Sequence, residues 1–211
     1  MNTLKVPFLP DSSFNNSLPQ LSDALSQFEP VKLNHEPWPT PGVKPQVEFF
    51  LAYGDDALFL KFNVKEKHFR ATFKNVNDLV YKDSCVEFFI GFGNAYYNFE
   101  FNALGTPYVA YGLSKQRETL PVSLINNIKS LAIIKDAPAN ALPFEWEITA
   151  AIPFNLFYKH NIQQLKGTEC RANFYKCGDE LPEPHYLSWN NIIADQPAFH
   201  LPEYFGKLIF V

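Results

Sequence analysis

The sequence predicts an all-β protein, a two-sheet antiparallel β-sandwich of jelly-roll type with one short N-terminal helix. The first observation is composition: the 211 residues include 21 Phe, 10 Tyr and 17 Pro beside a single Met, which favours strands and turns over helices. The second is a succession of short apolar runs separated by turn residues, a spacing typical of a sandwich. The third is the length, which suits one domain of ordinary size.

A short amphipathic helix is predicted over residues 18–28. Residues 17–20 have the S-x-x-Q form of a capping box, in which the first and last side chains bond each other's backbone amides. Apolar side chains then recur at the spacing i, i+3, i+4 and i+7 of one helix face: Leu21, Ala24, Leu25 and Phe28.

A proline-rich connector follows the helix. Residues 36–46 hold four prolines around Trp38, and such a segment cannot lie inside a sheet because proline has no amide hydrogen to donate. We therefore expect an N-terminal extension, residues 1–35, packed on a single sandwich domain, residues 36–211. Ten strands are predicted from the apolar runs: 47–52, 58–64, 86–92, 96–102, 107–112, 131–135, 144–151, 169–176, 185–189 and 206–211.

Charge and hydropathy exclude several classes of function. The 18 Lys and Arg against 22 Asp and Glu give a net charge of −4, with no basic cluster, so binding to a phosphate backbone is not expected. No apolar run approaches the ~18 residues that a membrane span needs. The first ten residues are interrupted by Pro7 and Pro10 and lack the apolar core of a signal peptide, so the chain as written is expected to be cytoplasmic.

The cysteines and acidic residues do not form a recognisable metal motif. Cys85, Cys170 and Cys177 lack C-x-x-C spacing and are expected to be buried free thiols, so no cofactor and no transition metal are predicted. Four aspartates are compatible with a structural calcium ion but do not follow the EF-hand pattern; these are Asp55, Asp56, Asp78 and Asp83.

Glu87 breaks the pattern of its own strand. Residues 85–92 are apolar on both faces apart from this glutamate, as in a central strand that is covered on both sides. A carboxylate left there costs several kcal/mol unless donors or a cation satisfy it. Glu87 therefore either has a structural partner, such as one of the three arginines, or contacts a ligand. The strand at residues 96–102 alternates cleanly, with Glu100 on its polar face.

An ordered set of short motifs resembles carbohydrate-binding module family 9 and its stand-alone relatives. The set comprises D-S-C-V-E at 83–87, N-F-E-F-N at 98–102 with Gly105, then Trp189 and the closing F-G-K-L at 205–208. The resemblance implies a β-sandwich that holds a sugar between two aromatic rings, with charged groups fixing the hydroxyls. It also implies a non-catalytic role in carbohydrate breakdown, often beside a glycoside hydrolase.

The resemblance assigns roles to individual residues. Tyr81 stands where the family has its first clamping Trp, and Trp189 is similar in position to the second. Glu87 matches the glutamate that bonds sugar hydroxyls, whereas Glu100 stands where a member of the family can carry Arg. Two further residues were added from the sequence itself: Arg117, in a polar stretch after a strand, and His185, which shares strand parity with Trp189.

These residue types suit sugar recognition for a physical reason. A sugar ring offers C–H groups on its faces and hydroxyls around its rim, so aromatic faces and carboxylate or guanidinium groups complement it. The predicted ligand is a mono- or oligosaccharide.

Three alternatives stay open. Glu87 and Glu100, on neighbouring strands, have a spacing compatible with a glycoside hydrolase pair. Haem binding would need His68, His185 or His200, because the single Met is the initiator. A sandwich that binds a partner or only supports structure is the third, since fold alone does not assign function.

Overall fold

The computed structural model describes residues 1–114, 116–135 and 143–211, and these residues hold thirteen strands and two α-helices. The helices are α1 (Leu18–Leu25) and α2 (Val122–Ile125). The strands are β1 (Thr3–Val6), β2 (Val31–Lys32), β3 (Gln46–Tyr53), β4 (Ala57–Glu66), β5 (Cys85–Gly91), β6 (Tyr96–Asn102), β7 (Pro107–Leu113), β8 (Gln116–Thr119), β9 (Lys129–Ile134), β10 (Phe144–Pro153), β11 (Glu169–Cys177), β12 (Tyr186–Ser188) and β13 (Gly206–Phe210).

The strands form two sheets, and the predicted all-β sandwich is confirmed. The larger sheet has the order β1-β13-β11-β5-β6-β7-β8, with β12 also paired to β11; the smaller has the order β2-β3-β4-β10-β9. Neighbours are antiparallel except β1 and β13, which are parallel. The central strand β5 is buried along its whole length, as its two-sided apolar sequence predicts.

Aromatic rings fill the space between the sheets. Phe49 of β3 stacks on Phe174 of β11 with ring centroids 3.7 Å apart, and Phe174 stacks in turn on Phe88 of β5 at 4.8 Å. These three rings are fully buried and join the two sheets through one continuous apolar cluster. The high phenylalanine content is therefore used mainly for packing sheet against sheet.

The outer faces of the two sheets are covered differently. Helix α1 lays Leu21 and Leu25 on the outer face of the smaller sheet, where they cover the part around Phe50 and Phe59. The larger sheet is covered by the irregular segment 190–205, whose apolar side chains pack on Phe89 and Tyr175. This segment covers only part of the sheet and leaves a cleft beside it.

Helix α1 is shorter than the predicted 18–28 and the capping box is not formed. Ser17 occupies the N-cap but makes no side-chain cap hydrogen bond, and proline at the second helical position offers no N–H to cap. After Leu25 the amides of Gln27 and Phe28 bond carbonyls three residues back, so the last turn tightens. Among the described residues, neither helix combines the length and apolar character that crossing a bilayer requires.

The first 35 residues contribute strands to both sheets. β1 adds to the larger sheet beside β13, and β2 adds to the smaller sheet beside β3. Neither strand was predicted, because runs of four and two residues carry too little periodicity to be recognised. Strand β8, in the polar stretch after β7, was missed for the same reason.

Candidate functional site

One row of side chains crosses the outer face of the larger sheet. Tyr175, Glu87, Glu100 and Tyr108 are directly opposed on the neighbouring strands β11, β5, β6 and β7. Directly opposed residues project to the same side of a sheet. The antiparallel register thus places two carboxyl groups side by side with an aromatic ring at each end of the row.

The two carboxyl groups of this row are both buried. Glu87 and Glu100 are 3% and 4% exposed, and among the described residues no ion pair to a lysine or arginine forms on either. Glu87 accepts the thiol of Cys177 at 3.1 Å, and Glu100 accepts the side-chain amide of Asn98 at 2.9 Å. These bonds leave most of the lone pairs of the two carboxyl groups unused.

Burial raises the pKa values of both groups. Desolvation raises the pKa of Glu100 to about 7, although Arg117 and the Asn98 amide act in the opposite direction. Desolvation, with Cys177 and Glu100 nearby, raises the pKa of Glu87 well above its ordinary value. Both shifts favour the protonated form, in which a carboxyl group donates as well as accepts hydrogen bonds.

Aromatic rings form the walls of the cleft above this row. The cleft has a volume of about 360 Å³, within the range of small-molecule sites. Its wall residues come from the 3₁₀ turn Val80–Lys82, from β7 and β12, and from the segment 190–205; they include Tyr81, Tyr108, Tyr186, Phe199 and His200. The rings of Tyr81, Tyr108 and Tyr186 are partly exposed, so they present accessible faces to the cleft.

Arg117 closes the cleft on the β8 side. Its Nη1 donates to the Ser114 carbonyl at 2.9 Å, and its guanidinium lies beside the hydroxyls of Tyr96 and Tyr108. Its Nε is buried and has no acceptor among the described residues. A buried donor of this kind costs free energy unless something accepts its hydrogen bond.

Four of the predicted site residues meet at this cleft: Tyr81, Glu87, Glu100 and Arg117 all line it. They lie on the outer face of the larger sheet.

Trp189 does not line the cleft, and its prediction as a second clamping ring is wrong. Its side chain is 5% exposed and packs edge-on against Phe49 and Phe174 between the sheets. A Cβ added at Gly206 would lie 2.5 Å from the Trp189 ring, so the indole fills its space completely. Trp189 is a core residue.

His185 also projects to the inner side of the sheet, so the prediction that it lines the site is wrong. Its Nε2 lies 2.9 Å from Nζ of Lys176 and 3.5 Å from a carboxylate oxygen of Glu66. Burial, aided by Lys176, lowers the pKa of His185 to about 2. His185 and Trp189 do lie on the same side of the sheet, as their spacing predicts, but that side faces the core.

The sequence interpretation missed Tyr108, Tyr186, Phe199 and His200. The register of the β6–β7 hairpin opposes Tyr108 to Glu100, and counting residues back from the turn could have found it. Tyr186 is opposed to Cys177, and it lies one residue from the His185 that was chosen. Phe199 and His200 lie in irregular chain, where periodicity carries no signal.

A second depression, of about 380 Å³, lies at one end of the smaller sheet. Its charged side chains are already paired: Lys65 and Lys135 both contact Glu145, and Lys32 contacts Glu48. Its paired charges distinguish this depression from the cleft, where neither glutamate forms an ion pair with a lysine or arginine of the described residues.

Asp83, one of the four aspartates considered for calcium, is occupied by protein donors. Its carboxylate accepts bonds from the backbone amides of Thr72 and Phe73, from the Thr72 hydroxyl, from Arg70 Nε and from the Asn102 amide. Burial acts to raise the pKa of Asp83, but these hydrogen bonds lower it overall. The carboxylate thus anchors the non-strand segment 69–73 to the start of β5.

Comparison with known proteins places the chain in a family. The sequence profile described as carbohydrate-binding family 9 matches residues 17–210. The chain belongs to carbohydrate-binding family 9. Among similar solved structures, a candidate carbohydrate-binding protein from Bacteroides uniformis ATCC 8492 is 32% identical with a TM-score of 0.86, and the match covers 99% of each chain.

Two structures described as family 9 modules share the fold at low sequence identity. A module from Caldicellulosiruptor kristjanssonii solved with glucose is 14% identical, with a TM-score of 0.62 over 100% of this chain and 96% of that one. A module from the same organism solved with cellotriose is 13% identical, with a TM-score of 0.61 over 99% of this chain and 93% of that one. A protein from Arthroderma benhamiae named "Extracellular protein" is 29% identical over 181 residues, 79% of each chain. The resemblance drawn from the motifs is confirmed.

Proposed function

We propose that the cleft on the larger sheet binds a mono- or oligosaccharide without cleaving it. The observation that carries this proposal is the Glu87–Glu100 pair, which is buried on the floor of an aromatic-walled cleft and forms no ion pair with any lysine or arginine in the described part of the chain. Two carboxyl groups that a protein leaves unpaired in the interior are expensive. A ligand rich in hydroxyl groups is the partner that recovers this cost.

The protonation states favour hydroxyl groups as partners. Each sugar hydroxyl donates one hydrogen bond and accepts others. Glu87 in its neutral form donates and accepts, Glu100 accepts more strongly in its charged form, and the buried Arg117 Nε donates. The tyrosine rings along the walls supply apolar faces for the C–H groups of the sugar ring.

The relatives support a sugar of the glucose type. The Caldicellulosiruptor module is described in complex with glucose and with cellotriose, and the Bacteroides protein is described as a candidate for carbohydrate binding. For a disaccharide of about 23 heavy atoms, about 0.3 kcal/mol per atom gives about 7 kcal/mol, which corresponds to a micromolar Kd. We further propose that the protein acts beside a glycoside hydrolase by keeping it near its substrate.

Geometry argues against cleavage by the two glutamates. A glycosidase places its carboxyl groups on opposite sides of the scissile bond, whereas Glu87 and Glu100 are neighbours on one sheet surface. Both approach a ligand from the same side. As a haem ligand His185 is ruled out, because it is held by Lys176 between the sheets.

Isothermal titration of the full chain with glucose and cello-oligosaccharides tests the proposal. Wild type is expected to bind with micromolar to millimolar Kd. Glu100→Gln is expected to weaken binding roughly 10–100-fold, because hydrogen bonds to charged groups contribute about 1.5–3 kcal/mol. Glu169→Gln is the matched control, since Glu169 is exposed and lies outside the cleft. Equal affinities in the two variants would contradict the proposed site.

A second assay separates binding from catalysis. The protein is incubated with the same oligosaccharides, and the products are separated by chromatography. Binding without any shorter product supports the proposal. A product formed by wild type but not by Glu87→Gln would instead make the protein a hydrolase.

A further inference from the structure

Two cysteines and one glutamate converge at the floor of the cleft. Cys85 and Cys177 are directly opposed on β5 and β11, and Glu87 follows two residues later on β5, so all three project to the same face. Both thiol sulfurs and a carboxylate oxygen lie within 4.8 Å of one another. The sequence spacing gives no hint of this, because the sheet register creates the cluster.

We propose that Cys85, Glu87 and Cys177 form a binding site for a thiophilic divalent cation of the Zn²⁺ type. Two thiolates and one carboxylate are a ligand set that such ions take, with one further position left for water or an exogenous ligand. Bond lengths of about 2.0–2.3 Å to a tetrahedral ion place the ligand atoms about 3.5–3.8 Å apart. Bringing atoms at most 4.8 Å apart to this spacing needs only small rotations of the side chains.

The surroundings of the cluster suit a bound cation. The three side chains are at most 3% exposed, so an ion there would be shielded from competing solvent on the sheet side. Cys177 and Glu87 both line the cleft, which provides an access route and an open coordination position. Nearby Lys176 projects to the opposite side of β11, where it pairs with Glu66 at 2.8 Å. Lys176 therefore does not pair with the side chains of Cys85, Glu87 or Cys177.

A third cysteine of the chain serves as a control for metal binding by buried thiols. Cys170 is a third buried free thiol on the same strand β11, but it packs in the cluster between the two sheets. It is therefore a thiol of similar burial that should contribute nothing to the site.

Titration of the full chain with Cd²⁺ in the absence of sugar tests the site. Cd²⁺ is the probe because its bonds to thiolates give an ultraviolet charge-transfer absorption. Mildly alkaline buffer is used because the ligands must lose their protons on binding. We expect one Cd²⁺ per chain and a charge-transfer band that disappears in Cys85→Ser and in Cys177→Ser but persists in Cys170→Ser. Glu87→Gln should keep the band and bind more weakly, because both thiolates remain.

A second measurement does not depend on how the variants fold. The ¹¹³Cd chemical shift of the loaded wild-type protein reports how many sulfurs bind the ion, and two are expected. No Cd²⁺ uptake, a signal without two sulfurs, or a band kept in both site variants would overturn the proposal. A thiol count of one instead of three in the unfolded, unreduced protein would also overturn it, since the pair would then be a disulfide.

Discussion

Acidic side chains are buried in two regions of the molecule, between the sheets and on the outer face of the larger sheet. The two regions differ in the partners that they give these carboxyl groups. Between the sheets, Glu66 forms an ion pair with Nζ of Lys176 at 2.8 Å and accepts a hydrogen bond from the indole nitrogen of Trp146 at 2.6 Å. On the outer face, Glu87 and Glu100 have neighbouring thiol and amide donors, but no lysine or arginine of the described residues forms an ion pair with them. The first carboxylate has its counter-charge within the fold, whereas the second pair keeps lone pairs that a ligand can engage.

This difference separates a structural ion pair from a ligand site. Burial alone would not do so, since all three glutamates are at most 4% exposed. What differs is the cation: Glu66 forms an ion pair with Lys176, whereas burial without such a partner raises the pKa values of Glu87 and Glu100. Each of the following experiments tests one side of this comparison.

Breaking the pair between the sheets should have the largest effect on stability. Lys176→Met leaves Glu66 buried without its cation, and we expect a loss of about 3–5 kcal/mol in the free energy of unfolding, measured by urea denaturation. The double variant Lys176→Met with Glu66→Gln should recover part of the loss, because no buried charge then remains. A single variant as stable as wild type would show that the pair is not structural.

Removing the indole of Trp189 should also lower the free energy of unfolding. Trp189→Ala is expected to cost about 3–5 kcal/mol, because it opens a cavity between the sheets. Where the variant is folded, its affinity for sugar should stay within about threefold of wild type, a change of under 1 kcal/mol. A large loss of affinity with unchanged thermal unfolding would return this residue to the binding site.

The free energy of unfolding should fall as the pH rises through the titration range of Glu100, whereas a carboxylate with a lowered pKa would make it rise. Because the folded pKa of Glu100 is raised from 4.5 to about 7, the folded state keeps a proton that the unfolded chain loses between these values. Raising the pH through this window should therefore lower the free energy of unfolding, by about 1–3 kcal/mol. Denaturation curves with a chelator present measure this dependence.

Glu100→Gln is the variant that sharpens this measurement. It should remove the Glu100 contribution to the pH dependence and raise stability at pH 8 relative to wild type. Glu169→Gln, on the exposed end of β11, serves as the control and should follow the wild-type profile. The interpretation fails if wild-type stability is flat or rises across this range while Glu100→Gln behaves identically.

Removing one ring from the cleft wall should have the smallest effect. Tyr81→Ala is expected to weaken sugar binding by about 0.5–1.5 kcal/mol, the contribution of one aromatic contact, with little change in unfolding. Tyr158→Ala is the control, since Tyr158 is 45% exposed and does not line the cleft. Titration calorimetry gives both values, and equal affinities would remove Tyr81 from the site.

Most of the fold was predictable because alternation and turn residues are local signals. The strands β3 to β7 and β9 to β13 all overlap predicted runs. The site was only half predictable, and Trp189 shows why. Strand parity groups residues by face, but it does not say which face meets the other sheet. That choice depends on pairing with β11, a partner distant in sequence, and it placed His185 and Trp189 inside and Tyr186 outside.

Glu87 and Glu100 were found because a charge inside an apolar strand is conspicuous in any context. Phe199 and His200 could not be found, because their position depends on how segment 190–205 folds over the sheet. The cysteine cluster could not be found either, since Cys85 and Cys177 are 92 residues apart in sequence. Contacts that depend on how distant strands pair cannot be recognised from the local sequence pattern.

The hydrogen bonds gathered by Asp83 have a consequence for ligand choice. This one carboxylate fixes residues 70–73, and Tyr81 reaches the cleft from a turn in the same connection between β4 and β5. The carboxyl-bearing base of the cleft lies on paired strands, whereas this wall belongs to a non-strand connection held by side-chain and turn hydrogen bonds, four of which end on the Asp83 carboxylate. Substitutions in that connection can therefore change which sugars fit while the sheet beneath them stays the same.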